Sequence, residues 1–123
     1  MDMTPKIPDP VHPITVEAND RTVTARLAGK VIAKSERTLN LREATYPKVI
    51  YFPQQDCDVS LFVKSDHTTF CPYKGECSYF SIPIGGDRSL NAIWSYENPY
   101  ESVRKIAGYL AFYPNRIDSL TEN

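Results

Sequence analysis

The run Ser65-Asp66-His67-Thr68-Thr69-Phe70-Cys71-Pro72-Tyr73-Lys74-Gly75-Glu76-Cys77-Ser78-Tyr79-Phe80 concentrates the groups that do chemistry: an acid, an imidazole, hydroxyls, a thiol, an ammonium and aromatic rings. Pro72 and Gly75 stand where the backbone would have to bend. A stretch built only for packing would alternate apolar and polar residues and carry fewer titratable groups. Cys71 is the first candidate for nucleophilic work, because a thiolate is the reactive form and nearby cations favour it. His67 precedes it by four positions and Lys74 follows by three, so both come within reach if the stretch folds back as a loop. In that arrangement His67 acts as donor or base, Lys74 holds a negative charge, and Cys71 is either nucleophile or pocket wall. The plain alternative for Cys71 is a small buried hydrophobe. Asp66 neighbours His67, so on a regular strand the two side chains point to opposite faces and Asp66 orients the imidazole only if the backbone bends. A histidine satisfied by a backbone carbonyl, with Thr68 and Thr69 supporting a turn, is the simpler reading of the same residues.

Aromatics with polar tips fall on several expected strands: Tyr51, Tyr79, Trp94 with Tyr96, and Tyr109 with Tyr113. Such rings on adjacent strands line a pocket wall or, equally, fill a tyrosine-rich core. The pocket expected here is floored by the Ser65–Tyr79 loop and walled by Trp94, Tyr96 and Tyr109, with Asp66, Thr68, Thr69, Tyr73 and Tyr79 as further ligand contacts. Two metal readings are weaker. Cys57, His67, Cys71 and Cys77 have nine, three and five intervening residues, not the short Cys-x-x-Cys knuckles of zinc sites, so no metal ligand is assigned. Asp56-x-Asp58 resembles the paired carboxylates that hold magnesium in phosphoryl transfer, but a Gly-Ser turn, a third carboxylate and a Walker-type glycine loop cannot be picked out. No cofactor is assigned.

The elements that must position these groups come from a chain of 123 residues, enough for one core. Apolar residues at 41% and charged residues at 24% match ordinary globular usage, which argues against wholesale disorder. Fourteen basic against fifteen acidic side chains, scattered along the chain, give no basic stripe for nucleic acid. No apolar run reaches the ~18–20 residues of a membrane span. Three cysteines, an odd number, without a secretory apolar core, point to a reduced, cytoplasmic protein. A homo-oligomer is compatible with everything in the sequence.

Residues 1–13 hold four of the ten prolines and are expected to form a flexible leader. A single domain is expected over 14–118, and a loose tail over 119–123. Alternation predicts strands at Ile14–Ala18, Val23–Leu27, Val31–Ala33, Thr38–Arg42, Val49–Phe52, Val59–Val63, Tyr79–Ile84, Leu90–Tyr96 and Tyr109–Tyr113. Ala28-Gly29-Lys30 and Gly85-Gly86-Asp87 read as hairpin turns, and the central stretch as loop through Gly75. Asn98 as cap, Pro99 at the first position and Glu101 predict a two-turn helix ending at Gly108. The sum is a mainly β, antiparallel domain with one short α-helix.

Tyr51-Phe52-Pro53, the Ser65–Gly75 motif, Ser78-Tyr79-Phe80, Trp94-Ser95-Tyr96 and Gly108-Tyr109-Leu110-Ala111-Phe112-Tyr113-Pro114 together resemble the bacterial domain-of-unknown-function family 427, over about His12 to Asp118. The resemblance implies a compact β-tent fold similar to Mss4-like and methionine sulfoxide reductase B domains, with His67, Cys71, Pro72, Tyr73, Lys74 and Gly75 in the family motif. Those relatives often bind zinc through paired Cys-x-x-Cys motifs, which this chain lacks. Some classifications label the family nucleotidyltransferase-like. The expected function is binding, with or without transformation, of a small polar or anionic metabolite. A magnesium-dependent nucleotidyltransferase and a non-catalytic interaction module stand as alternatives, so the sequence leaves open whether the protein is an enzyme.

Overall fold

The computed structural model describes residues 4–123, and the part of the expected leader at 1–3 lies outside the described residues. Among the described residues, ten strands form three antiparallel sheets. The first sheet orders β1 (Ile14–Ala18), β4 (Leu39–Glu43) and β5 (Val49–Tyr51). The second places β2 (Val23–Leu27) between β3 (Lys30–Ser35) and β10 (Ser119–Glu122). The third runs β6 (Val63–Cys71), β7 (Gly75–Ser81), β8 (Ile93–Ser95) and β9 (Ala111–Phe112). The protein is mainly β, as the alternation predicts.

Two cores hold the sheets together. One gathers Val23, Ile32, Phe52, Ile82, Ile93 and Phe112, with Phe52 edge-on to Phe112 at 5.3 Å between centroids. The fully buried Phe52 side chain alone stabilises the fold by about 1.5–3 kcal/mol. The other core collects Leu41, Tyr51, Cys77, Tyr96, Val103 and Ile106, and it backs the candidate site.

Several expectations are corrected. The central stretch is a β-hairpin, not a loop: Thr68 faces Ser78, Thr69 faces Cys77 and Cys71 faces Gly75. The Lys74 amide donates to the Cys71 carbonyl at 3.2 Å, closing a turn with Pro72 at its second position, where a fixed φ is favoured. Gly75 follows at φ 107, a backbone state open to glycine. The ladder is interrupted between Lys64 and Thr68, where the His67 amide donates to Ser65 Oγ at 2.9 Å. Val59–Leu61 is a 3-10 turn rather than a strand. Pro83–Ser89 is a 3-10 run kinked at Gly86 rather than a tight hairpin. A Cβ built on Gly85 would lie 2.0 Å from Ser89 Oγ and 2.9 Å from Leu27 Cδ2, so this segment packs down on the second sheet.

The predicted helix forms as 3-10 turns over Glu101–Ile106, entered from Tyr100 and kinked at Val103. The reason is tertiary: the Tyr100 amide donates to the Lys74 carbonyl at 3.1 Å, which holds the chain extended where the helix would have begun. The tail is not loose. Residues Ser119–Glu122 pair with Arg26 to Val23, and Glu122 accepts from Asn19 Nδ2 at 2.9 Å and from Lys48. The described part of the leader is tied to the hairpin turn, through a 2.8 Å bond from the Lys6 amide to the Pro72 carbonyl and a stack of His12 on Tyr73 at 3.9 Å.

Candidate functional site

Lys74 closes the β6–β7 turn, and its side chain is carried inward beneath the second core, only 10% exposed. Taking an ammonium out of water is costly unless it is paired and hydrogen-bonded. Its partner is Glu43, the last residue of β4, whose Oε1 accepts from Lys74 Nζ. The other oxygen, Oε2, accepts from His12 Nε2 at 2.7 Å. Burial pushes the Glu43 carboxyl up, but the bonds and charges of Lys74 and His12 outweigh it and hold the group below its ordinary value. The Lys74 ammonium also sits 5.7 Å from the Tyr96 ring centroid. The result is a chain of imidazole, carboxylate and ammonium joining the N-terminal segment, the first sheet and the hairpin turn.

Above this pair opens a cleft of about 270 Å³. Tyr79, Trp94, Tyr96 and Tyr113 line it with aromatic rings, and Tyr46, Pro47 and Val49 complete the lining. The rings are held in place by their tips. Trp94 Nε1 donates to the Tyr51 hydroxyl at 3.2 Å, and the Tyr79 hydroxyl shares a 2.8 Å bond with Thr69 Oγ1. Trp94 lies against Tyr113 at 4.4 Å and edge-on to Tyr51 at 6.4 Å. Burial pushes the phenols of Tyr51, Tyr79 and Tyr96 up, so these hydroxyls stay protonated through the neutral range.

Of the groups expected to converge, Lys74, Tyr79, Trp94 and Tyr96 line this cleft, and His67 and Cys71 do not. His67 stands beyond Tyr79, ring against ring at 4.5 Å, and lines a neighbouring hollow that shares Tyr79 and Tyr113 with the cleft. The half-buried Cys71 packs against the second core. Asp66 and Thr68 are exposed on the edge strand β6, Asp66 within the interruption of its ladder and Thr68 where pairing with Ser78 resumes. Thr69 braces Tyr79, and Tyr73 stacks on His12. Tyr109 lies in a separate depression with Gln54 and Gly108.

Sequence reasoning missed Glu43, His12 and Tyr46. A signal for Glu43 was present: it continues the alternation of Leu39 and Leu41, so an acid stands on the inward face of a strand. The carboxylates considered for magnesium are otherwise engaged. Asp56 accepts from Ser35 Oγ at 2.6 Å and pairs with Arg37, which together hold its carboxyl below the usual range. Asp58 accepts from Ser60 Oγ at 2.6 Å. Among the described residues, no three or more His, Cys, Asp and Glu side chains gather as a metal site. The half-buried Cys57 packs against the other core, and desolvation there pushes its thiol up to about 12. Among the described residues, no helix is long and apolar enough to cross a membrane.

No curated protein matches the sequence. The family described as Domain of unknown function (DUF427) matches residues 15–123, which takes in every strand but the first residue of β1 and leaves His12 outside. With that match covering most of its length, the chain belongs to the domain-of-unknown-function family DUF427.

Proposed function

We propose that the protein binds a small, flat, acidic molecule in the tyrosine-lined cleft, with its anionic group on Lys74. One observation carries this reading. Lys74 has three N–H donors, and among the described residues its only hydrogen-bond acceptor is Glu43. Both Glu43 oxygens already accept a bond, so the surplus at the cleft floor is of donors, and the fitting ligand brings an acceptor. An anion makes the stronger, charge-assisted bond. A volume of about 270 Å³ lies just below the usual range for drug-sized ligands, which limits the molecule to one or two rings. The aromatic walls favour a planar body. His12 has a supporting role in this reading, because it keeps Glu43 satisfied while Lys74 turns to the ligand. Free thiols at Cys57, Cys71 and Cys77 fit a reducing compartment such as the cytoplasm.

Trp94 is the single tryptophan of the chain, so its fluorescence reports on the cleft directly. Titration with a panel of small cyclic and aromatic carboxylates, benzoate among them, should change that fluorescence and raise Tm, while the matching amides do so weakly. Lys74→Met should weaken carboxylate binding by about tenfold or more, the worth of a charge-assisted bond. Equal binding of acids and amides, or an undiminished response in Lys74→Met, would defeat the reading.

A further inference from the structure

Beyond the Tyr79–Tyr113 ridge lies a second hollow of about 420 Å³. We propose that it binds a neutral, polyhydroxylated group such as a sugar ring, with His67, Asp87, Asn91 and Asn115 as its hydrogen-bonding partners.

The hollow gathers polar side chains that bond to nothing else among the described residues. Among the described residues, the His67 imidazole makes a ring contact with Tyr79 but no side-chain hydrogen bond. The Asp87 carboxylate and the Asn91 and Asn115 amides have no hydrogen-bonding or ionic partner there either, yet all line the same hollow. Asn91 reaches it from a positive-φ backbone at 53°, a conformation asparagine adopts more readily than most residues. Arg116 Nη1 donates to the Leu90 carbonyl at 3.1 Å and to the Arg88 carbonyl at 3.4 Å, which ties the loop to the 3-10 turn at Pro114–Arg116 and leaves Nε and Nη2 free.

Charge then selects the ligand class. The formal charges of Arg116 and Asp87 cancel, so the pair gives the hollow no net attraction for a free anion. It offers a carboxylate acceptor, two amides that both donate and accept, an imidazole that does either, and guanidinium donors. Hydroxyl groups, each donor and acceptor at once, match that mixture. The apolar part of the lining completes the match. Leu90, 53% exposed, lines the hollow together with Tyr79 and Tyr113. A sugar ring presents C–H surface to such patches and hydroxyls to the polar groups beside them. The Tyr79 hydroxyl is fixed by Thr69 and the Tyr113 ring by Arg116 at 5.9 Å and Trp94, so the wall is built before a ligand arrives.

This inference does not depend on the acid-binding cleft, and the test keeps the two apart. Free aldopentoses and aldohexoses are screened by saturation-transfer NMR and by calorimetry, with inorganic phosphate and acetate as anion probes. At least one sugar should bind with Kd of about 1 mM. Asn115→Ala and Asp87→Asn, both at exposed positions, should each weaken it by about fivefold, as expected for one lost hydrogen bond. Lys74→Met should leave sugar binding unchanged, which separates this hollow from the cleft. The proposal is overturned if no sugar transfers saturation, if binding survives the His67→Ala, Asn115→Ala double variant, or if phosphate alone binds.

Discussion

Replacing Glu43 by glutamine removes one charge from the cleft floor and leaves the Lys74 ammonium, 10% exposed, with no counter-charge. Removing one partner of a buried pair costs about 3–5 kcal/mol, because the remaining charge is left uncompensated. Glutamine still accepts one hydrogen bond, so the expected loss is at the low end, about 3 kcal/mol. For a chain of this length that corresponds to a Tm lower by roughly 10 °C. Urea unfolding at pH 7, followed through Trp94, measures it. The pH dependence has a definite sign. Glu43 is held below its ordinary pKa, so its stabilisation is complete above the unfolded value, about 4.3, and fades as pH falls through the lower folded value. The native protein should therefore lose stability in that acid window, and Glu43→Gln should lose less there. Adding Lys74→Met removes the stranded charge and should recover most of the loss, giving a coupling energy well above the additive expectation. A Glu43→Gln protein within about 1 kcal/mol of the native one, or strict additivity of the two changes, would refute the reasoning.

Other outcomes follow from the same structure. Truncation after Asp118 removes the β10 ladder and the bonds of Glu122 to Asn19 and Lys48, so urea unfolding should show a loss of about 3 kcal/mol or more. Gly85→Ala should destabilise by about 1–3 kcal/mol, since the added Cβ meets Ser89 Oγ at 2.0 Å; an unchanged Tm would contradict the packing described. His12→Ala should cost about 1 kcal/mol and speed amide exchange at Lys6, because the segment loses its bond to Glu43 and its stack on Tyr73. Iodoacetamide at mildly alkaline pH should label Cys57 far more slowly in the folded protein than in denaturant, because its half-buried thiol is pushed up to about 12; equal labelling by mass spectrometry would contradict this.

Much of the fold was legible where one strand face is buried and the other wet. The apolar–polar alternation at Ile14–Ala18 and Val23–Leu27 forms strands with those bounds, and the strand expected at Thr38–Arg42 forms one residue further on, at Leu39–Glu43. The β6–β7 hairpin was hidden for a physical reason. β6 is an edge strand with most of Val63–Thr69 exposed, so no apolar face shows in its letters, and its polar groups read as a loop. The helix signal at Asn98-Pro99 was locally sound, yet a single long-range bond from Tyr100 to Lys74 overrode it. β10 was missed because Ser119–Glu122 gains its place from the ladder with β2 rather than from its own pattern. In the candidate site, Lys74 and the aromatic wall were readable from residue type. The carboxylate and imidazole that complete it lie 31 positions away from their partners, across a sheet, and sequence spacing alone does not connect them.

The most direct measurement is a crystal structure of the protein soaked with a small aromatic carboxylate, refined against its own data. The account predicts the ring between the tyrosines and Trp94, a carboxylate oxygen within hydrogen-bond distance of Lys74 Nζ, and Glu43 still held by His12. A carboxylate bound elsewhere, with the Lys74 ammonium unmoved on Glu43 and the cleft filled by solvent, would contradict it.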